Sequence, residues 1–547
     1  MQYGFADLHN HQFAQLGFGG RAFWGGAYGD IAQELRWCTP VHGPGGTQDM
    51  LSNLLRAIAY QLPAISLLGH SVGGYPQFDG WPRWDSVSHQ AVFEQWLQRA
   101  VEGGLRLMVM LAVHNELFCS LANRAEDCGR SDMEAVDLQL QAARDMQAYL
   151  DAKHGGPGQG WYRIVHTPEE ARTVIAAGKL AVVLGIEVDS LFNCRGAGDL
   201  TAEDLRAALD RYYALGVRHV LPIHFSNNGF GGSAFQNALQ RDSGGGLISG
   251  RNPATTVGAY LIETEDARPF GYAYRTGRRN VLGLTDLGKT LIRELIARGM
   301  IIDIDHMSAR AKADALDICE AAHYPVVTSH CGFVELSRGD KRHEGQLLAQ
   351  EVERIRGVGG MVAVIARQGT LEEIDTWRGP GQTTVEHCCG GTANTLVQAY
   401  LYAVAKMPCV PVGIGSDFNG FAGLPGPRWG SEACPGGGRP GAIPGVTYPF
   451  IAATTGHPMD RCISGVKAFD INTDGLAHVG LLPDLIADFE AMGLTAAELE
   501  PLLTSAAGYV SVWDRARSTG LLEPSKEPPA APADGRPGSF DGHPYCG

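Results

Sequence analysis

Short apolar runs recur along the chain, and the stretches between them carry apolar residues at helical spacing. Such runs are typical of strands that are buried on both faces. We predict eight strands, at residues 6–11, 105–113, 180–187, 217–224, 300–308, 324–330, 360–366 and 411–417. Several of them end in His, Glu or Asp, where a polar side chain is costly unless it has a partner.

The helical stretches follow most of these strands. The clearest is 285–298, where Leu287, Leu291 and Leu295 share one face and Gly299 ends the pattern. We predict further helices at about 47–60, 90–102, 132–153, 201–215, 309–322, 346–355 and 392–405, with closing helices within 483–517. Thr201 is the expected N-cap of its helix.

This alternation indicates an α/β protein, and eight repeats predict a (β/α)8 barrel of the TIM type. We expect residues 1–522 to form one barrel domain. Segments at about 12–104, 225–280, 367–390 and 418–458 are too long for simple connections and are predicted to be insertions. We expect the Pro- and Gly-rich tail, 523–547, to be poorly ordered unless Cys546 anchors it.

The charge excludes some classes of protein. The net charge is −15, from 44 basic and 59 acidic residues, and no Lys/Arg run stands out, which argues against a nucleic-acid binder. No apolar run reaches the roughly 18 residues that a membrane span needs. No leader precedes the first strand, so we expect a cytoplasmic protein if Met1 is the native start, and a secreted or periplasmic one if a leader was removed.

The twelve cysteines leave two possibilities open. Several lie in loop-like segments, which suits disulfides in an oxidising compartment. These are Cys119, Cys128, Cys388, Cys389, Cys434, Cys462 and Cys546. The alternative is a set of ordinary thiols in a large cytosolic enzyme. There is no C-x-x-C pair, so we do not expect a cysteine zinc knuckle.

Six of the predicted strands end in a side chain that could bind a metal ion or transfer a proton. These side chains are His9 and His11, Glu187, His224, His306, His330 and Asp417. His9 and His11 are two residues apart, so on a strand both point to the same side. Because catalytic groups in a (β/α)8 barrel collect at the carboxyl ends of the strands, the set predicts a metal site at the barrel mouth.

These residues carry a family resemblance. The segments Asp7-Leu-His-Asn-His11, Leu184-Gly-Ile-Glu187, Asp303-Ile-Asp-His306-Met-Ser308, Val326-Val-Thr-Ser-His330 and Gly413-Ile-Gly-Ser-Asp417 occur one per strand. In this order they resemble the membrane (renal) dipeptidase family, peptidase M19, of the amidohydrolase superfamily. The resemblance covers the barrel, from about 4–11 and 105–515, and leaves out the insertions.

The resemblance implies roles for the six strand ends. His9 and His11 would hold one zinc ion, His306 and His330 a second, and Glu187 would bridge the two. Zinc suits imidazole and carboxylate ligands, and a pair of zinc ions makes hydroxide available at neutral pH. The hydroxide would attack the amide carbonyl of a dipeptide. Asp417 would carry the proton and His224 would stabilise the oxyanion.

The resemblance also implies an arginine for the free carboxylate of the substrate, because the planar guanidinium matches that group. The family places it shortly after the sixth strand. Arg342 is our choice there, and Lys341 and Arg338 are rivals. A homodimer is a further expectation that rests on the resemblance alone.

Three features depart from the family pattern. The first motif reads His-x-His where the family has His-x-Asp, which removes one negative charge from the metal site. Val188-Asp-Ser190 follows Glu187 where the family often has Gly-Gly or Gly-His. The insertions make the chain longer than a minimal member, and several lie after strands, around the expected mouth.

Two alternatives to a dipeptidase remain. The same metal centre could hydrolyse another bond, in an N-acyl amino acid, a lactam or a lactone, since fold and metal do not decide the substrate. The second alternative is a barrel that binds a ligand without catalysis, against which stands the full set of expected ligands and Asp417.

Overall fold

The computed structural model describes residues 4–50, 52–53, 69–116, 118–119, 131–236, 240–242, 260–266, 278–520 and 540–542. Most of the predicted helix 47–60 and of the tail 523–547 lies outside the described residues, as do Cys128 and Cys546. The division into a domain of residues 1–522 and a tail stays a prediction.

Eight parallel strands form a barrel in chain order. We number them β1 (Phe5–Asn10), β2 (Leu105–His114), β3 (Leu180–Val188), β4 (Val217–Leu221), β5 (Ile301–Ile302), β6 (Val327–Cys331), β7 (Met361–Ile365) and β8 (Val412–Gly415). Each strand pairs with the next, β8 pairs with β1, and a parallel bridge between Asp303 and Val327 joins β5 to β6. The predicted (β/α)8 barrel is therefore confirmed.

The strands β2 and β3 show why the apolar runs are so continuous. Nearly every residue of both is buried, because one face of each strand packs in the barrel interior and the other packs under helices. An outer strand, Tyr162–Thr167, pairs with the first half of β3 and was not predicted. Its buried Arg163 forms an ion pair with Asp151 at 2.6 Å, so this strand lacks a plain apolar pattern.

The longer helices pack outside the barrel. They are Glu94–Glu102, Asp132–Lys153, Pro168–Ala176, Ala202–Ala214, Asp286–Ala297, Ala309–Ala321, Ala349–Gly357, Ala393–Lys406, Leu482–Ala491, Ala496–Leu503 and Ser505–Thr519. The predicted helices match these to within a few residues, apart from Pro168–Ala176, which was missed. Thr201 caps Ala202–Ala214 with a reciprocal capping box to Asp204, as its sequence position predicted.

Short elements occupy the long connections. The strand pairs are Gln240–Asp242 with Tyr260–Ile262, Thr264–Asp266 with Arg278–Asn280, Phe450–Ile451 with Pro458–Met459, and Cys462–Ser464 with Lys467–Phe469, and Phe540–Gly542 pairs with the outer strand. The short helices are Ala14–Leu16, Phe18–Gly20, Ile31–Glu34, Thr39–His42, Pro44–Gly46, Leu191–Asn193, Gly339–Lys341, Ile471–Asp474 and Val479–Leu481.

The described cysteines include both disulfide-bonded and free ones. Cys389 and Cys434 form a disulfide that joins the segment after β7 to the segment after β8, and Cys119 is also disulfide-bonded. Cys388 and Cys462 are free thiols. None of the helices in the described part of the chain combines the length and the apolarity that a bilayer span requires.

Candidate metal centre

The barrel brings all six predicted strand ends together at its mouth. Several strands are shorter than predicted, so that His224, His306 and Asp417 lie in the loops just beyond β4, β5 and β8. Because all eight strands are parallel, these loops and the strand ends face the same opening. The site is therefore built partly from strands and partly from the turns that follow them.

The first cluster contains His9, His11, Glu187 and Asp417. Nε2 of His9 and Nε2 of His11 lie 3.1 Å apart, and each lies 3.1 Å from Oε2 of Glu187. Oδ1 of Asp417 lies 3.3 Å from Nε2 of His11. All four side chains are buried. Two imidazoles and two carboxylates thus converge on one small volume.

The second cluster lies on the other side of Glu187. Nε2 of His306 lies 3.3 Å from Oε1 of Glu187 and 2.8 Å from Nε2 of His330. The rings of His330 and His9 stack with their centroids 3.6 Å apart, so the two clusters are contiguous. One oxygen of Glu187 therefore faces His9 and His11, and the other faces His306.

Neighbouring groups orient the first pair of imidazoles. Nδ1 of His11 donates to the carbonyl oxygen of Leu111 at 3.1 Å, which leaves Nε2 as the ring nitrogen that faces the cluster. Nδ1 of His9 lies 2.8 Å from the hydroxyl of Ser329. Both rings therefore present Nε2 to Glu187.

In the second pair, His330 is oriented in the same way, because its Nδ1 donates to Oδ2 of Asp305 at 3.1 Å. Nδ1 of His306 lies 2.8 Å from the side-chain nitrogen Nε2 of Gln236, from which it can accept a hydrogen bond. Ring nitrogens of metal-binding histidines are commonly held by such partners, which fix the tautomer and the ring orientation. The surroundings of the site thus resemble those of a metal centre.

A bound metal ion accounts for the arrangement of these side chains better than hydrogen bonds between them do. Oε1 of Glu187 is buried and has no hydrogen-bond partner among the described residues. Imidazole nitrogens that face one another at hydrogen-bond distance leave a lone pair unsatisfied unless a proton or a cation lies between them. Imidazole and carboxylate together form a donor set that zinc accepts.

The electrostatics differ among these side chains. Although burial opposes protonation, neighbouring carboxylates raise the pKa of His11 and of His330. Although burial opposes ionisation, the surrounding imidazoles of His9 and His224 hold the pKa of Glu187 well below its usual range. Burial lowers the pKa of His9 to about 3. At neutral pH Glu187 is therefore a carboxylate and His9 a neutral imidazole, which are the forms that bind cations.

His224 differs from the four other histidines. Its Nδ1 lies 3.1 Å from Oδ1 of Asp189, and its ring lies 4.7 Å from that of His306. Although burial opposes protonation, the carboxylates of Glu187 and Asp189 raise the pKa of His224. An imidazolium held by Asp189 can donate a hydrogen bond from Nε2.

The three basic candidates after β6 have different partners. Arg338 pairs with Asp375, and Nζ of Lys341 lies 2.9 Å from Oε1 of Glu373. Nε of Arg342 donates to the carbonyl oxygen of Ser337 at 2.8 Å, and no described carboxylate pairs with it. Arg342 is therefore the candidate whose charge is not already neutralised by an acidic side chain of the described chain.

Two orienting carboxylates were missed as site residues. Asp305 and Asp189 hold His330 and His224, and both are buried. A signal was present in the sequence, because Asp305 immediately precedes His306 and Asp189 follows Glu187 by two residues.

His306 and Asp417 also have positive φ angles, of 61° and 55°, a strained conformation for residues other than glycine.

A (β/α)8 barrel with histidines and carboxylates at its mouth defines the class of metal-dependent hydrolase barrels. Residues 262–427 match the family model of membrane dipeptidase, peptidase family M19. This match confirms the predicted resemblance to the family over that part of the chain. It includes the segments that carry His306, His330 and Asp417.

Two curated relatives bear dipeptidase names. The chain is 27% identical over 244 residues to an uncharacterised dipeptidase of Schizosaccharomyces pombe. The matched residues cover 45% of this chain and 42% of that protein. The chain is 23% identical over 292 residues to the dipeptidase tcpJ of Claviceps purpurea, which covers 53% of this chain and 49% of that protein. The matched part thus spans less than half the length of each relative.

A solved structure of dipeptidase AC, a metallo peptidase of family M19, is also similar. It has 16% sequence identity and a TM-score of 0.44, and the comparison covers 77% of this chain and 88% of that chain.

Proposed function

We propose that this chain is a metal-dependent hydrolase that cleaves the amide bond of dipeptides or similar small amides. The observation that carries the proposal is the position of Glu187, whose Oε2 faces His9 and His11 and whose Oε1 faces His306. In this proposal His9 and His11 hold one zinc ion, His306 and His330 hold a second, and Glu187 contacts both. The family match and the dipeptidase names of the relatives support the same activity.

Zinc ions in these positions would polarise the amide carbonyl and make hydroxide available from water at neutral pH. Asp417 is proposed to handle the proton. Its Oδ1 lies beside Nε2 of His11 and Nε2 of His9, at 3.3 and 3.8 Å. Although burial opposes ionisation, these imidazoles lower the pKa of Asp417. It is therefore a carboxylate at neutral pH and can accept a proton at Oδ1 before passing it to the leaving amine.

His224 is proposed to donate to the oxyanion that forms on the substrate. Oδ1 of Asp189 lies 3.1 Å from Nδ1, so Nε2 is the ring nitrogen proposed to face the substrate. The raised pKa of His224 favours the imidazolium, which is the form that donates from both nitrogens. A preorganised donor of this kind typically contributes about 10²- to 10³-fold to the rate.

Arg342 is proposed to bind the free carboxylate of the substrate. A guanidinium can form two parallel hydrogen bonds to a carboxylate, and Arg342 has no acidic partner among the described residues. This contact would favour short peptides with a free carboxyl terminus over longer or blocked ones.

The proposal is tested by hydrolysis of a panel of L,L- and L,D-dipeptides with the zinc-loaded protein. We expect turnover that Asp417→Asn lowers by about 10²- to 10⁴-fold. Asp375→Asn is the matched control, because Asp375 pairs with Arg338 on the surface. Turnover that Asp417→Asn does not change would contradict the role of Asp417.

The same panel separates the dipeptidase from its alternatives. It should include N-acyl amino acids, lactams and lactones, because the His-x-His motif and the long insertions both alter the surroundings of the site. If only these compounds are cleaved, the metal-dependent hydrolase stands and the dipeptide substrate is wrong. If nothing is cleaved although metal is bound, a binding function is favoured.

A further inference from the structure

A second cluster of metal-binding side chains lies within the segment between β1 and β2. It consists of Cys38, His42, His70 and His89, whose ligand atoms all lie within 4.8 Å of one another. Sγ of Cys38 lies 3.4 Å from Nε2 of His70. Cys38, His42 and His89 are buried, and side-chain exposure of His70 is only 12%. One sulfur and three imidazoles therefore meet in a nearly closed space.

Asp49 faces two of these rings from outside the cluster. Its Oδ2 lies 3.8 Å from Nδ1 of His42 and 3.6 Å from Nδ1 of His70. The same oxygen accepts a hydrogen bond from the hydroxyl of Ser88 at 2.5 Å. The negative charge of Asp49 thus lies on the Nδ1 side of both rings, and carboxylates near zinc-binding histidines are common.

Hydroxyl groups lie next to Nδ1 of His89. Its Nδ1 lies 3.1 Å from Oγ of Ser86 and 3.4 Å from Oγ of Ser88, and Trp81 stacks on its ring at 4.8 Å. Nε2 of His89 is buried and has no hydrogen-bond partner among the described residues. A buried polar atom without a partner is costly, and here it is one of the atoms that a cation at the cluster would bind.

We propose that Cys38, His42, His70 and His89 bind one zinc ion as a structural site. Four protein ligands, one thiolate and three imidazoles, complete the tetrahedral set that zinc prefers in closed structural sites. This site shares no ligand with the candidate metal centre at the barrel mouth, which we call the barrel centre.

The position of the cluster indicates what the metal stabilises. Next to His89, the side chain of Gln90 accepts a hydrogen bond from Nδ2 of Asn419 at 2.8 Å. The same Nδ2 lies 3.1 Å from the carbonyl oxygen of His11, and the backbone N–H of Ala91 donates to Oδ1 of Asn419. The metal would therefore fix the insertion between β1 and β2 against the residues that follow Asp417 at the barrel mouth.

Cobalt(II) substitution tests this site separately from the barrel centre. Cys38 supplies a thiolate, whereas none of the candidate ligands in the barrel is a cysteine. We expect the cobalt-loaded protein to show a thiolate-to-cobalt charge-transfer band in the near ultraviolet, equivalent to one thiolate per chain. Cys38→Ser should lose the band and one metal ion per chain, and should unfold at a lower temperature.

Cys319→Ser is the matched control, because Cys319 is another buried free thiol and lies on Ala309–Ala321. This variant should keep the band and the metal content of the parent. A band that persists in Cys38→Ser, or that is lost equally in Cys319→Ser, would overturn the proposal.

A measurement on the parent protein does not depend on the folding of any variant. X-ray absorption at the zinc edge should show a zinc–sulfur distance of about 2.3 Å. A zinc-loaded parent protein without sulfur around any zinc ion would also overturn the proposal. Because the signal comes from sulfur, the result is independent of whether the barrel centre binds two metal ions or hydrolyses dipeptides.

Discussion

Asp305 accepts two hydrogen bonds from His330, one from its backbone N–H at 2.8 Å and one from its ring Nδ1 at 3.1 Å. Both bonds reach the same oxygen, Oδ2. The ring is thereby fixed in rotation, and its proton is held on Nδ1. Nε2 of His330 is then the ring nitrogen that faces Nε2 of His306, 2.8 Å away. The contact with Asp305 therefore orients His330 so that its Nε2 can bind a cation together with His306.

We expect Asp305→Asn to weaken metal binding at His306 and His330. An amide of the same shape carries no charge and can present its NH2 group to the ring, so the preferred tautomer is lost. Replacement of such partners typically lowers metal affinity by about 10- to 100-fold. Competition with a zinc chelator measures the affinity, and Asp375→Asn on the surface is the control. An affinity equal to that of the parent would show that Asp305 does not orient the ligand.

His224→Ala separates two roles for this histidine. Glu187, His224 and His306 lie close enough together to hold an ion, so His224 could also be a ligand. If His224 acts as an oxyanion donor, the variant keeps its metal content and kcat falls by about 10²- to 10³-fold. A loss of one metal ion per chain by elemental analysis would instead show that His224 is a ligand.

Arg342→Ala tests the contact with the substrate carboxylate. We expect KM for a dipeptide with a free carboxyl terminus to rise by about 10- to 100-fold, which corresponds to the roughly 1.5–3 kcal/mol of a hydrogen bond between charged groups. The KM for the corresponding dipeptide amide should change little. Arg338→Ala and Lys341→Ala are the controls, since both residues already pair with acidic side chains. A larger effect from either control would transfer the role to that residue.

The barrel was predictable from sequence because its strands are buried on both faces. The residues of β2 and β3 form nearly unbroken apolar runs, and each run ends where the chain reaches the mouth. The same logic located His9, Glu187 and His330. It was less accurate for His306, since β5 is only two residues long and the histidine lies in the turn beyond it.

The features that were missed lack such a pattern. The outer strand Tyr162–Thr167 carries a buried arginine whose charge is neutralised by Asp151, a partner that only the folded chain reveals. The Cys38 cluster draws its ligands from positions with no regular spacing. Cys38 precedes the one-turn helix Thr39–His42, and His42 is its last residue. Contacts between distant, irregular segments decide both features, and hydrophobic periodicity carries no information about them.

Glu344 supplies a prediction about pH and stability. Its carboxyl group accepts backbone N–H groups from three segments, those of Phe235 at 2.8 Å, Asn280 at 2.9 Å and Ala309 at 2.7 Å. These contacts tie the segment next to Gln236, which touches His306, to the helix Ala309–Ala321. Burial raises the pKa of Glu344 to about 7, although the three N–H groups oppose this.

The sign of the pH effect follows from this raised pKa. The folded protein binds the proton of Glu344 more tightly than the unfolded chain, so the group stabilises the fold below its ordinary pKa of 4.5. That contribution is lost as the pH rises through about 7. The loss is on the order of 3 kcal/mol, at about 1.4 kcal/mol for each unit between the two pKa values.

Glu344→Gln removes the titration and keeps the shape of the side chain. We expect the free energy of unfolding of the variant, relative to the parent, to increase between about pH 4.5 and pH 7 and to be constant above that range. Denaturant unfolding at a series of pH values measures this difference. Glu203→Gln, on the exposed face of Ala202–Ala214, is the matched control. A difference that stays constant, or that falls as the pH rises, would show that Glu344 is ionised throughout this range and that the three N–H groups outweigh its burial.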